Sequence, residues 1–211
     1  MGDVTDPYVT LPEYKARVNM TGTADDEEMK AQLEAASNFI FHECGDRFFS
    51  KDAAAVVRLF DGNGLTRLYV DDIASLTGLI VKVDLDADFD FIDTGETLTI
   101  GTHFWAGPAN AALGPEARPY TFLDIVPWNG RLDVWPAVPR SVQVTAVFGW
   151  PAVPAAIKEA TVDLVRKLRD IQQAGASEAL QNIDMAMQMA GRQSFIFQDM
   201  RRQYRRGVPF A

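Results

Sequence analysis

Four aspartates alternate strictly in this chain: Asp84, Asp86, Asp88 and Asp90. Carboxylates at that spacing suit a hard cation. A helix–loop–helix calcium loop takes acids at positions one, three and five, glycine at six and Glu at twelve. Here position six is Phe89, position twelve is Gly95, and Glu96 comes one place late. The flanking residues read as strands, not helices. The run is therefore expected to be a solvent-facing strand edge whose charges block edge-to-edge pairing, with no bound metal.

His42 and His103 are the only histidines, and Cys44 is the only cysteine. His42 and Cys44 are two apart on an expected helix, so they point in different directions. A structural zinc site needs about four ligands, and these three residues do not supply them. Cys44 falls on an apolar stripe and is expected to be a small core residue. The single cysteine excludes an internal disulfide. No GxxxxGK[ST] phosphate loop, GxSxG elbow or HExxH pair occurs. Nothing in the sequence assembles an acid, a base and a nucleophile, so no enzymatic activity and no cofactor is expected.

The last stretch carries a different chemistry. Residues 192–211 hold Arg192, Arg201, Arg202, Arg205 and Arg206 against Asp199 alone, a balance of +4. Phe195, Ile196, Phe197, Tyr204 and Phe210 lie among them. Such a tail can bind nucleic acid, solubilise a chain end, or dock on a partner protein. The apolar residues argue against solubilisation alone, and aromatic and Arg side chains are common interface anchors. The candidate docking residues are Phe195, Phe197, Arg201, Arg202, Tyr204, Arg205, Arg206 and Phe210. Helical spacing of the arginines suits paired recognition of carboxylates. DNA is the rival partner.

Those residues need elements to hold them. The chain has 211 residues, 47% hydrophobic, with 13 Phe and 4 Trp, which suffices for a substantial core. Its net charge is −9. Residues 1–100 hold 20 acidic and 8 basic side chains, and residues 101–211 hold 9 and 12. An acidic body does not clamp DNA, because phosphate contacts need Lys and Arg. No apolar run of about 18 residues is present, so no membrane span is expected. The polar, acidic start is not expected to be a secretion signal.

Helical periodicity marks both ends of the chain. Residues 11–18 suit a short helix with Thr10 as N-cap and Pro12 in its first turn. Residues 24–45 place Met29, Leu33, Ala36, Ile40 and Cys44 on one face, with Thr23 and Asp26 at capping-box spacing. Residues 154–174 and 177–190 repeat the pattern, with Ile157, Leu164, Leu168 and Ile183 facing inward and Gly191 as a stop. The middle has strand character. Residues 56–60 and 67–70 flank Asp61-Gly62-Asn63-Gly64 and read as a hairpin. Residues 79–83, 97–100, 120–126 and 142–148 add strands, and residues 106–119 read as a loop. Trp135-Pro136-Ala137-Val138-Pro139 and Trp150-Pro151-Ala152-Val153-Pro154 share five letters and read as two similar rigid turns.

Two segments carry a family resemblance. The first is Arg67-Leu68-Tyr69-Val70-Asp71-Asp72-Ile73-Ala74-Ser75-Leu76. The second is Val142-Gln143-Val144-Thr145-Ala146-Val147-Phe148-Gly149-Trp150 running into Val153-Pro154-Ala155-Ala156-Ile157-Lys158-Glu159-Ala160. With the acidic-capped helix before them, the chain resembles head-to-tail adaptors (head-completion connectors) of tailed bacteriophages over residues 8–175. The resemblance implies a structural subunit that assembles as a ring, commonly of twelve copies, beneath the portal protein. The ring extends the DNA channel and offers a platform to a stopper or tail-completion protein. DNA passes through the lumen, no membrane is involved, and the site is the virion neck, assembled in the host bacterial cytoplasm. The alternative is a DNA-binding or DNA-packaging accessory protein acting through the basic tail.

The expected fold is α+β. Residues 1–54 and 150–191 form a helical bundle, residues 55–149 an inserted β-rich domain, and residues 192–211 an extended docking arm.

Overall fold

The computed structural model describes residues 6–113, 116–127, 131–173 and 183–205. The fold is α+β. The chain divides into two compact units, residues 1–49 with 153–211 and residues 50–152. The second is an insertion in the first, close to the expected 55–149.

Among the described residues the first unit is helical. α1 spans Leu11–Val18, and the Thr10 hydroxyl accepts from the Glu13 N–H at 3.4 Å. α2 spans Asp26–Glu43. The capping box does not form: Asp25 is the N-cap, and no side chain bonds the first turn. The Asp26 carboxylate pairs with Lys15 of α1 instead. α3 spans Ala155–Gln173, and its four-residue apolar spacing buries Ile157, Ala160, Leu164, Leu168 and Ile171. Met29, Leu33, Ala36 and Ile40 of α2 and its C-cap residue Cys44 are buried with them. Ion pairs from Lys158 to Glu13 (3.1 Å) and from Arg169 to Asp25 (3.3 Å) link α3 to α1 and to the N-cap of α2.

Three differences follow α3. α4 spans Ile183–Gln193, and Gly191 lies inside it rather than ending it. A Cβ there would stand 2.8 Å from the Phe39 ring, so the glycine serves close packing. Ile183, expected inside, is exposed, while Met187 and Ala190 are buried. Residues 177–182 of the expected helix lie outside the described residues. The expected extended arm is instead a further helix, α5, Phe195–Tyr204. Ser194 starts it, accepting from the Phe197 N–H at 2.9 Å and donating to Asp163 of α3 at 2.5 Å.

The second unit holds two antiparallel sheets over one core. β1 (Val56–Phe60), β7 (Val142–Ala146), β3 (Ile80–Val83) and β4 (Thr97–Leu98) form one sheet in the order β1-β7-β3-β4. β2 (Arg67–Ile73), β6 (Tyr120–Ile125) and β5 (Phe104–Gly107) form the other in the order β2-β6-β5. The expected hairpin of β1 with β2 is absent: β1 pairs with β7 and β2 with β6. The turn-like residues between them bond elsewhere. Asp61 accepts from the Arg140 N–H, and the Gly62 N–H donates to the Val138 carbonyl. β5 also takes Ala106 and Gly107 from the stretch read as a loop. Gly107 packs directly under the Phe122 ring, where a Cβ would stand 2.1 Å away.

Alternation fills the core. Leu68 and Val70 of one sheet meet Val81, Val83, Val142 and Val144 of the other. The two Trp-Pro turns anchor through different bonds. Trp135 donates from Nε1 to the Leu123 carbonyl (3.2 Å), and Trp150 donates to the Asp72 carboxylate (3.2 Å).

Candidate docking faces

The period of two that buries Leu68, Leu123 and Ala106 turns their neighbours outward. On the three-stranded sheet, Arg67 of β2 stands opposite Asp124 of β6, which stands opposite Trp105 of β5. One row along, Tyr69 faces Phe122, which faces Gly107. Arg67 grips Asp124 in two parallel hydrogen bonds, Nε to Oδ1 and Nη2 to Oδ2, each 2.7 Å. Its guanidinium lies 3.8 Å from the Phe122 ring centroid. Tyr69 meets Phe122 edge to face at 6.2 Å. These side chains hold one another in place, yet Trp105 is 58% and Tyr69 55% exposed. A preordered face of Trp, Tyr, Phe and Arg is the composition of an interface hot spot.

The four-stranded sheet has an outer face too. Val57, Thr145 and Ile80 form one cross-strand row, and Leu59, Gln143, Lys82 and Thr97 form the next. Val57, Leu59 and Ile80 are exposed, and β1 is an edge strand. Exposed apolar side chains on an edge invite pairing with another chain. In the helical unit, Met185 and Met189 on one side of α4, with Phe195 and Ile196 at the start of α5, are exposed. A groove of about 660 Å³ between α2 and α4 is lined by Phe39, His42, Ile183 and Met187, among others.

The expected docking residues separate in space. Phe197 and Tyr204 are buried within their own helical unit. The reason is packing: α5 sets its apolar stripe, Phe197, Met200 and Tyr204, against the bundle. Phe197 stacks on Phe39 at 5.1 Å, and Tyr204 meets Phe49 edge to face at 5.8 Å. Arg201 pairs with Glu43 of α2 at 3.0 Å. Phe195 is 82% exposed, and Arg202 and Arg205 are exposed as well. Arg206 and Phe210 lie outside the described residues.

Cys44 is wholly buried, its Sγ 3.8 Å from Met200 Sδ. Burial pushes its thiol up to about 12. His42 is exposed and bonded to Asp46 at 2.8 Å, and His103 accepts from the Thr99 N–H at 2.8 Å.

The aspartate run is not a strand edge. β3 stops at Val83, and residues 84–96 form a loop. Asp84 ends the strand by accepting from the Ala87 N–H (2.7 Å) and the Phe89 N–H (3.1 Å), with both Ala87 and Phe89 at positive φ. No helix among the described residues is long and apolar enough to cross a membrane. Comparison of the chain with protein-family models, with characterised proteins and with solved structures finds no match in any of the three.

Proposed function

We propose that the chain is a structural head-to-tail adaptor, a ring subunit seated beneath a phage portal in the virion neck. The observation that carries this reading is the outer face of the three-stranded sheet. Arg67, Tyr69, Trp105, Phe122 and Asp124 spend ion-pair, cation–π and aromatic contacts on ordering a surface that solvent still reaches. Ordering a face before contact lowers the entropic cost of association. A ring needs two different patches per subunit, because head-to-tail contacts are heterologous. The exposed apolar side chains of α4 and α5 supply chemistry for the second patch. In this reading the sheet face meets the next copy. Phe195, Arg202 and Arg205 then contact the portal or a neighbouring subunit, and a stopper or tail-completion protein binds below.

Negative-stain imaging of the chain mixed with purified portal rings tests the proposal. A ring of added density on the portal is expected. Absence of any portal complex, together with binding to free duplex DNA that weakens steeply with salt, would favour the DNA-binding alternative.

A further inference from the structure

We propose that the loop between β3 and β4 is a calcium site built from Asp84, Asp86 and Glu96, with Asp88 and Asp93 extending it. Strand pairing creates the site. β3 and β4 run antiparallel, with Val81 opposite Leu98 and Lys82 opposite Thr97. Carried one step further, that register joins the Val83 N–H to the Glu96 carbonyl at 2.9 Å. The Asp84 N–H is tied to the Ser141 carbonyl at 3.0 Å. Two carboxylates are thereby fixed on rigid backbone at the two ends of the loop. Both are buried, Asp84 at 4% and Glu96 at 2% exposure. The loop then brings Asp86 back, so that a carboxylate oxygen of each of the three lies within 4.8 Å of the others. Asp86, Asp88 and Asp93 make a second such trio.

The observation that calls for a cation is Glu96. Its Oε2 accepts from the Asp93 N–H at 3.1 Å. Its Oε1 is buried with no hydrogen-bond partner. A buried carboxylate oxygen is costly unless a donor or a metal satisfies it. Here the Glu96 side chain belongs to a trio of like charges, which adds repulsion. Two cationic side chains border the loop. Lys82 gives its ammonium to the Phe91 carbonyl at 2.6 Å, and the Arg131 guanidinium lies against Gly95.

Carboxylates gathered by a loop suit calcium, which accepts six to eight oxygens in irregular geometry. Magnesium demands a near-ideal octahedron and gives up water reluctantly. Zinc prefers nitrogen and sulfur, which the five proposed ligands do not offer. The signature differs from a helix–loop–helix calcium loop because the anchors are two strand ends, not two helices.

The test uses the full chain after treatment with a chelator. Calcium chloride is titrated by calorimetry and by thermal melting, with magnesium chloride in parallel. Calcium at about 100 times its Kd should raise the melting midpoint by several degrees, and magnesium should act more weakly. Glu96→Gln removes one buried charge, so the calcium-free variant should melt no lower than the parent. Its calcium affinity should fall at least about tenfold. Asp86→Asn alters an exposed residue shared by both trios and should weaken binding similarly; it decides the matter if Glu96→Gln fails to fold. No heat and no shift up to about 10 mM calcium would overturn the proposal, since that exceeds the weakest calcium modules about tenfold. So would an equal response to magnesium, or unchanged binding in both variants.

Discussion

α5 and the outer face of the three-stranded sheet make opposite use of the same residue types. Both combine aromatics with arginine. α5 turns Phe197 and Tyr204 into its own bundle and pairs Arg201 with Glu43, leaving Phe195 and Arg202 outside. The sheet face keeps Tyr69 and Trp105 in solvent and uses Arg67 to stiffen the surface around them. The difference teaches that an apolar residue is available to a partner only after its own fold has declined it. The amphipathic residues 195–204 look unattached until a helix folds them back.

The largest expected effect lies on the buried side of α5. Phe197→Ala should cost about 3–5 kcal/mol, because its ring is fully enclosed and stacked on Phe39. Phe195→Ala, two residues earlier and exposed, should stay within about 0.5 kcal/mol. Urea unfolding of both variants checks the pair, and equal losses would break the contrast within α5.

Cys44 probes the same packing without cutting it. A thiol pushed up to about 12 leaves roughly a thousandfold less thiolate near pH 8 than one at the ordinary value of 9.0. Reaction with a soluble disulfide reagent should therefore be slow in the native chain and fast in denaturant. The raised value also sets a sign. The protonated thiol's contribution to stability is whole below about pH 9, where the unfolded thiol is neutral too, and is lost as the pH rises toward 12. Rapid native labelling would mean that α5 does not cover Cys44.

Gly191→Ala is expected to cost about 1–3 kcal/mol, since its Cβ meets the Phe39 ring, and a thermal melt measures it. A neutral result would show that the helix ends there, as its sequence suggests. Smaller than the Gly191 effect, Arg201→Ala should remove an ion pair that is open to solvent, worth about 0.2–1 kcal/mol. A larger loss in the same assay would mean that Arg201 holds α5 in place.

Helices α1 to α3 were legible because their backbone hydrogen bonds and caps are local, whereas α5 was read as an extended arm. Thr10 names the start of α1, and the four-residue spacing of Met29, Leu33, Ala36 and Ile40 names the buried side of α2. The sheets were legible as strands but not as pairs. Residues 61–64 look like a hairpin turn because glycine and asparagine favour one. The strands on either side belong to different sheets, and only residues 138–140, far along the chain, show why. The same limit hid the ordered outer face of the three-stranded sheet. Arg67, Trp105 and Asp124 come together through strand order, which no local period records. The aspartate run and Glu96 were visible, but the burial that leaves Glu96 Oε1 without a hydrogen-bond partner enters only through the β3–β4 register.

The most direct test of the proposed ring weighs the complex of this chain with purified portal rings, using mass photometry. The parent chain is compared with a Tyr69→Ala, Trp105→Ala double variant whose unaltered fold is verified by circular dichroism. The parent should add many copies per portal, and the variant should add few or none while melting within a few degrees of the parent, because both side chains are mostly outside the core. A variant that loads the portal as fully as the parent would contradict the assignment of this sheet face to the contact between copies.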